Sequence, residues 1–410
     1  MSPKRVVVVY DYGSINGGAA QVAIASALGL HRAGIEVDYF CAVGPAAPSL
    51  VDSGVRFHCL GNADLVGDPQ RLAAAARGLW NRAAAEALRK LLQTCDPRST
   101  VVHVHGWTKG LSASIFPVIE QLRMPVVTTL HEFFTACPNG GFFDYQRNEI
   151  CTRRAMSVDC ITTHCDVRSY PQKLWRVARQ GVAQVAGHLP SGLRDVIFIS
   201  ELTREVLTPY FSAATRWHAL RNPLQVESAP RAHAEANGKF LFVGRLSPEK
   251  GAGLFAAAAA AAGVEARIVG DGPVRADIAQ RWPAAELTGW LKPHEVLGEI
   301  RASRALVFPS FWYEGQPLVV QEALANGVPV IVADKTAARE VVRDGDNGMW
   351  FRHGDEGSLV AALRRMADDA TVATMSRNAH AAYWTDPPTP QAHIEGLLEV
   401  YARLLANRAD

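Results

Sequence analysis

Residues 6–40 read VVVVYDYGSINGGAAQVAIASALGLHRAGIEVDYF, and the order of apolar and glycine positions in them decides the fold class. Val6–Tyr10 is an unbroken apolar run, as expected of a strand buried on both faces. A glycine-bearing loop follows (Gly13, Gly17, Gly18). Then Ala20, Val22, Ala23, Ile24, Ala27, Leu28 and Leu30 recur at helical spacing up to Gly34, a C-terminal stop. Ile35–Phe40 resumes a strand. A β-α-β unit of this kind is the building block of a parallel, doubly wound sheet, and the chain is expected to be α/β.

The pattern continues outward. Further strands are expected at Val101–His105, Val126–Leu130 and Asp195–Ser200, with helical segments between them. Composition turns polar around Arg221-Asn222-Pro223, and residues 226–238 read as a connector. A second series then begins, with strands expected at Phe240–Gly244, Ala266–Gly270, Glu286–Thr288, Ala305–Pro309 and Val328–Ala333. Two such series in 410 residues predict two Rossmann-like domains facing a cleft, with ligands at the carboxyl ends of the strands. The expected boundaries are 1–221, carrying a cysteine-containing insertion at about 137–165, then 222–386, then a helix over 387–410. In that last segment Ile394, Leu397, Leu398, Tyr401, Leu404 and Leu405 make one apolar stripe, which must pack across the domain junction or on the first domain.

Charge excludes some function classes. Forty-two basic against 40 acidic residues leave a net charge of +2, with no long run of either sign. A broad nucleic-acid footprint is not expected, so any phosphate recognition must be local. The apolar start at Val6–Tyr10 is too short for a signal-peptide core, and the alanine-rich Leu254–Val264 is too short to span a bilayer. These features predict a cytoplasmic protein.

The segment Glu314-Gly315-Gln316-Pro317-Leu318-Val319-Val320-Gln321-Glu322 carries the strongest chemical signal. Pro317 fits the first turn of a helix that runs to Gly327. Glu314 then sits before that helix, near its free N–H groups and positive dipole end, and Glu322 lies inside it with its side chain tilted back toward the same end. Two carboxylates so spaced could hold a sugar and a ribose through their hydroxyls. A second segment, Phe240–Gly251, ends a strand at Gly244 and places Arg245 and Lys250 around a tight turn into a helix, where two cations would neutralise a diphosphate. It is not a Walker A loop, because no Gly-Lys-Ser/Thr follows.

Taken in order and spacing, the Arg245…Lys250 loop, the Val269-Gly270-Asp271-Gly272-Pro273 turn and the paired glutamates resemble those of family 4 glycosyltransferases of the GT-B fold. The Gly17-Gly18 loop and His131 resemble that family's N-terminal features. The resemblance implies a retaining transfer of a hexose-type sugar from a nucleotide-diphosphate sugar. It implies that Arg245 and Lys250 grip the donor diphosphate, that Glu322 holds the ribose and Glu314 the transferred sugar, and that backbone around Gly315, Gln316, Pro317 and Leu318 assists. His131 would contact the donor sugar near the reacting carbon, and Gly17 and Gly18 would let backbone approach the donor phosphates or the acceptor. Catalysis would rest on positioning and leaving-group electrostatics, with no cofactor or catalytic metal required. A UDP- or GDP-sugar as donor and a glycan or lipid-linked glycan as acceptor, in surface polysaccharide assembly, follow by analogy. An acceptor of that kind would bring the protein to the inner face of the plasma membrane.

Other readings compete. A sugar-nucleotide epimerase or hydrolase would use the same cleft, and a non-catalytic sugar-nucleotide-binding subunit would bind donor without turnover. A dinucleotide oxidoreductase is set aside, since Gly13, Gly17 and Gly18 do not make Gly-x-Gly-x-x-Gly. Asp344-Gly345-Asp346 is expected to be turn chemistry rather than a metal motif. His103 and His105 share a strand face with no third metal ligand evident, which favours burial or hydrogen bonding. Cys137, Cys151, Cys160 and Cys165, with His164 adjacent, are a candidate structural zinc site, weighed against reduced thiols buried as small hydrophobes. Their gaps of 13, 8 and 4 residues lack a Cys-x-x-Cys knuckle, which favours the thiols. Lys173, Arg176 and Arg179 share one helix face, which is either solvated or a membrane contact.

Overall fold

The computed structural model describes residues 2–65 and 67–407. In chain order the first strands are β1 (Arg5–Val9), β2 (Glu36–Cys41), β3 (Arg56–Cys59), β4 (Thr100–Val104), β5 (Val126–Leu130), β6 (Phe143–Asp144), β7 (Glu149–Ile150), β8 (Asp195–Phe198) and β9 (Arg216–Ala219). The later ones are β10 (Phe240–Val243), β11 (Ala266–Val269), β12 (Glu286–Gly289), β13 (Ala305–Phe308), β14 (Val330–Ala333) and β15 (Gly348–Phe351). The chain divides into two compact units. One comprises the residues up to Gly140, Arg153–Pro223 and those from Pro388 onward; the other comprises Gly141–Thr152 and Leu224–Pro387.

The first unit is built on a seven-stranded sheet in the order β3-β2-β1-β4-β5-β8-β9, all neighbours parallel. Val6, Val7, Val8 and Val9 are wholly buried, as a central parallel strand with helices on both faces requires. The second unit holds a six-stranded sheet in the order β12-β11-β10-β13-β14-β15, again parallel throughout. The short antiparallel hairpin β6–β7 belongs to this second unit. Three sheet strands have no counterpart among the sequence expectations: β3, β9 and β15. Each lies at a sheet edge; in β3 and β9 polar residues break the apolar run, and β15 exposes Trp350.

In each sheet the strand order reverses once, between β1 and β4 in the first and between β10 and β13 in the second. Loops diverge from the carboxyl ends of strands at such a switch point, leaving a crevice that takes ligands. Asp11, His105 and His131 follow β1, β4 and β5; Lys250 and Glu314 follow β10 and β13.

The terminal helix Pro390–Ala406 packs within the first unit. His393 meets Ser26 at 3.0 Å and the Arg221 carbonyl at 3.0 Å, and the Tyr401 hydroxyl meets His103 Nδ1 at 2.7 Å. His103 Nε2 is 2.7 Å from the Thr129 hydroxyl. Burial pushes His103 and His105 well below the ordinary histidine value, His131 down to about 3 and His393 down to about 4. These imidazoles are therefore neutral when folded and take protons only on unfolding. A folded pKa below the unfolded one means that the unfolded chain binds more protons between the two values, so stability rises with pH across that window. Acidification from about pH 6.5 toward 4 is expected to destabilise the first unit by about 1.4 kcal/mol per pH unit for each such histidine. Urea midpoints measured between pH 7 and 4.5 check this; a flat profile would contradict it.

Candidate active site

The second unit's site begins with backbone crowding. The loop after β10 and the turn after β11 are zipped together: Leu246 N–H donates to the Asp271 carbonyl at 2.9 Å, and Val274 N–H donates to the Leu246 carbonyl at 3.1 Å. Gly270, with φ +139°, lies so close that an added Cβ would fall 1.9 Å from the Gly244 carbonyl oxygen. Gly251, with φ +74°, ends the single 3-10 turn Pro248–Lys250 and would drive a Cβ to 2.1 Å from the Pro309 carbonyl oxygen. Phe311 N–H donates to the Glu249 carbonyl at 2.8 Å. The loop carrying Lys250 is thus pressed onto the loop that follows β13.

This contact brings two sequence-distant charges together. Lys250 Nζ is 2.8 Å from Glu314 Oε1, and both side chains are largely buried. Glu314 itself sits in the left-handed region with φ +59°, and its Oε1 also accepts from the Ser310 hydroxyl at 2.8 Å. The Lys250 ammonium stands 4.6 Å from the centre of the Trp312 ring, a cation–π contact. Arg245 is exposed and has no ion-pair partner among the described residues. Pro317 caps the helix Leu318–Ala325, whose first N–H groups emerge beside Glu314, and Gly327 with φ +71° follows its end. Glu322 lies in that helix without a hydrogen bond to its carboxylate among the described residues, and burial raises it above the ordinary glutamate range. A carboxyl in such a place, with acceptor positions not taken by the described residues, suits a hydroxyl-bearing ligand.

The expected residues are therefore placed as follows. Lys250 and Glu314 touch, and Gly315, Gln316, Pro317 and Leu318 continue from Glu314 into the helix that carries Glu322. Arg245 occupies the same strand-end loop as Lys250. Ser310 and Trp312, which order the pair, carried no motif; only their position in the loop after a buried strand could have singled them out.

In the first unit, an open pocket of about 420 Å³ lies at the switch point, lined by residues that include Asp11, His105, Lys109, His131, Glu132 and Thr135. His105 Nδ1 and His131 Nε2 are 3.0 Å apart, with the rings stacked, and His105 Nε2 is buried without a hydrogen-bond partner among the described residues. Asp11 is fully buried; its carboxylate accepts from the N–H groups of Lys109 and Leu111, each at 2.9 Å, and burial raises it above the ordinary aspartate range. It ties the loop after β4 to the end of β1. Gly17 and Gly18 begin the helix Gly18–Arg32, and an added Cβ at either would meet nothing within 4 Å, so no protein neighbour demands a glycine there.

Geometry bears on three other expectations. Asp344 accepts the Trp350 N–H at 2.8 Å, and Asp346 pairs with Arg343 at 2.6 Å, so that segment is a turn leading into β15. The basic face of the helix Tyr170–Val185 points inward, which corrects both the solvated and the membrane reading of that face. Arg176 pairs with Asp166 at 2.9 Å, and Arg179 donates to the carbonyls of Thr108 at 3.1 Å and Pro138 at 3.2 Å. Lys173 is wholly buried, with its ammonium 3.3 Å from Cys165 Sγ and 3.6 Å from Cys160 Sγ. Burial pulls that ammonium down, but the neighbouring sulfurs outweigh it and hold it above the ordinary lysine value. A lysine ammonium thus lies against two of the four cysteines, Cys160 and Cys165, and among the described residues no group of three or more His, Cys, Asp or Glu is placed to hold a metal ion. Among those residues no helix is long and apolar enough to cross a membrane.

A pair of parallel sheets, each with a polar cluster at its switch point, defines a two-unit Rossmann-like protein. The chain belongs to glycosyltransferase family 4: the family model described as Glycosyltransferase Family 4 matches residues 16–227, and that described as Glycosyl transferases group 1 matches residues 237–369. It is 32% identical over 154 residues to the UDP-Gal:alpha-D-GlcNAc-diphosphoundecaprenol alpha-1,3-galactosyltransferase of Escherichia coli, covering 34% of this chain and 39% of that one. It is 39% identical over 114 residues to a GDP-mannose-dependent alpha-mannosyltransferase of Mycobacterium tuberculosis, covering 28% of this chain and 30% of that one. The matched segments thus span well under two thirds of either relative. Sucrose-phosphate synthase from Thermosynechococcus elongatus superposes with a TM-score of 0.69 at 20% identity, covering 98% of this chain and 100% of that one, a likeness of fold.

Proposed function

We propose that the chain transfers a hexose-type sugar from a UDP- or GDP-sugar to a glycan or lipid-linked glycan, with retention of anomeric configuration. The observation that carries this reading is the Lys250–Glu314 contact at the switch point of the second sheet, beside the unpaired Arg245. In this reading the donor diphosphate draws the Lys250 ammonium toward its oxygens, and Arg245 closes on it from solvent. The two cations supply the charge that a divalent metal provides elsewhere, stabilising the nucleotide as it leaves. Glu314, relieved of part of its pairing, accepts from hydroxyls of the transferred sugar, and Glu322 accepts from the ribose. His131, kept neutral by burial, offers one ring nitrogen to the sugar while His105 holds the other.

The E. coli relative is named for a UDP-sugar donor and a diphosphoundecaprenol-linked acceptor, which makes that pair the first to test. Incubation with labelled UDP-galactose and N-acetylglucosaminyl-diphosphoundecaprenol, and in parallel with GDP-mannose, is expected to move label into the lipid phase as nucleoside diphosphate appears. Release of free sugar at one rate with or without acceptor would show a hydrolase instead, and an interconverted nucleotide sugar would show an epimerase.

A further inference from the structure

The helix Tyr170–Val185 carries a buried lysine that the proposed transfer does not use. Lys173 has no exposed surface, and the atoms within hydrogen-bond reach of its Nζ are sulfurs: Cys165 Sγ at 3.3 Å and Cys160 Sγ at 3.6 Å. Asn139 Nδ2 donates to the same Cys165 Sγ at 3.1 Å and to the Cys165 carbonyl at 2.9 Å, which fixes the thiol's orientation toward the lysine. Cys160 and Cys165 are themselves buried, and Cys160 N–H is held by the Ser157 hydroxyl at 3.2 Å. A lysine ammonium and a cysteine sulfur are thus held at contact distance in the interior, on segments joined by the adjacent Arg176–Asp166 pair.

We propose that Cys165 and Lys173 form an oxidation-dependent covalent crosslink site, in which a hydroperoxide converts the pair to a sulfenamide. In the first step Cys165 Sγ attacks the peroxide; an S–O bond forms, the O–O bond breaks, and the departing oxygen leaves as water or alcohol, giving the sulfenic acid. In the second, the Lys173 ammonium releases one proton to water and the resulting amine attacks that sulfur; the S–N bond forms, the S–O bond breaks, and the hydroxyl leaves as water with a further proton from the nitrogen. One peroxide is reduced, the sulfur is oxidised by two electrons, and the linked product is neutral. Neutrality favours the product in this interior, where separated charges are costly. Cys160 is the rival: its sulfur could capture the sulfenic acid as a disulfide. The shorter approach to Cys165 and the second donor on its sulfur favour the lysine.

The test uses the full-length chain, treated with a few equivalents of hydrogen peroxide, unfolded in the presence of an alkylating agent, digested with trypsin and read by mass spectrometry. The expected result is a crosslinked species joining the Cys165 and Lys173 peptides, two hydrogens lighter than their sum, with cleavage after Lys173 lost and both restored by a thiol reductant. Lys173→Arg keeps the cation but removes the condensing amine, and is expected to abolish the link while leaving oxidised Cys165. Cys165→Ser should abolish it as well; where either variant fails to fold, the wild-type digest decides alone. A Cys160–Cys165 disulfide, over-oxidised but unlinked Cys165, or an unmodified pair would each overturn the proposal.

Discussion

Replacing Lys250 with alanine is expected to lower kcat by about two to three orders of magnitude while the chain still folds, because it removes a charge aimed at the departing diphosphate. The argument starts from packing. Lys250 is the last residue of a single 3-10 turn whose carbonyls and glycine are pressed against the loop after β13, so its ammonium has one place to go, between Glu314 and the Trp312 ring. The substitution leaves Glu314 with the Ser310 hydroxyl as a remaining partner, and the loss of an ion pair that is not fully enclosed is expected to cost about 1–3 kcal/mol of stability. Steady-state kinetics beside thermal unfolding separates the two effects. Near-normal turnover in a folded variant would remove Lys250 from the chemistry.

Gly251→Ala is expected to destabilise the second unit by roughly 2–5 kcal/mol, from the left-handed backbone and the overpacking together. Any Cβ there lies 2.1 Å from the Pro309 carbonyl oxygen, and backbone cannot swing aside as the end of a long side chain can. The β10 loop would have to lift from the β13 loop, carrying Lys250 away from Glu314. Activity should therefore fall further than stability alone explains. Denaturant unfolding followed by a probe in the second unit checks the first part, and a melting curve like that of the wild type would contradict it.

How much of this was legible in the sequence depends on where a strand sits. The central strands appear as unbroken apolar runs because helices cover both faces, and β10, β13 and β14 can be read directly, as can the four valines of β1. The edge strands β3 and β9 interleave polar with apolar residues and leave no such run, and β15 is only four residues long and turns Trp350 out to solvent. The site divides the same way. Lys250, Glu314 and Glu322 stand in local motifs with recognisable turn chemistry, whereas the 64-residue separation that the Lys250–Glu314 contact bridges depends on sheet order. Asp11 follows the valine run of β1, but its task, accepting two N–H groups from a loop about 100 residues away, exists only in three dimensions. Helical spacing places Lys173, Arg176 and Arg179 on one face correctly; it carries no information on whether that face meets water, and here it meets thiols, an aspartate and backbone carbonyls.

The account rests on a nucleoside diphosphate being held by the strand-end loops of the second unit. Calorimetric titration of the full chain with UDP and with GDP tests this most directly. It predicts saturable one-to-one binding of at least one of them, weakened at least tenfold by Arg245→Ala and by Lys250→Ala and weakened further by added salt. No binding of either nucleotide, or binding that both substitutions leave unchanged, would contradict it.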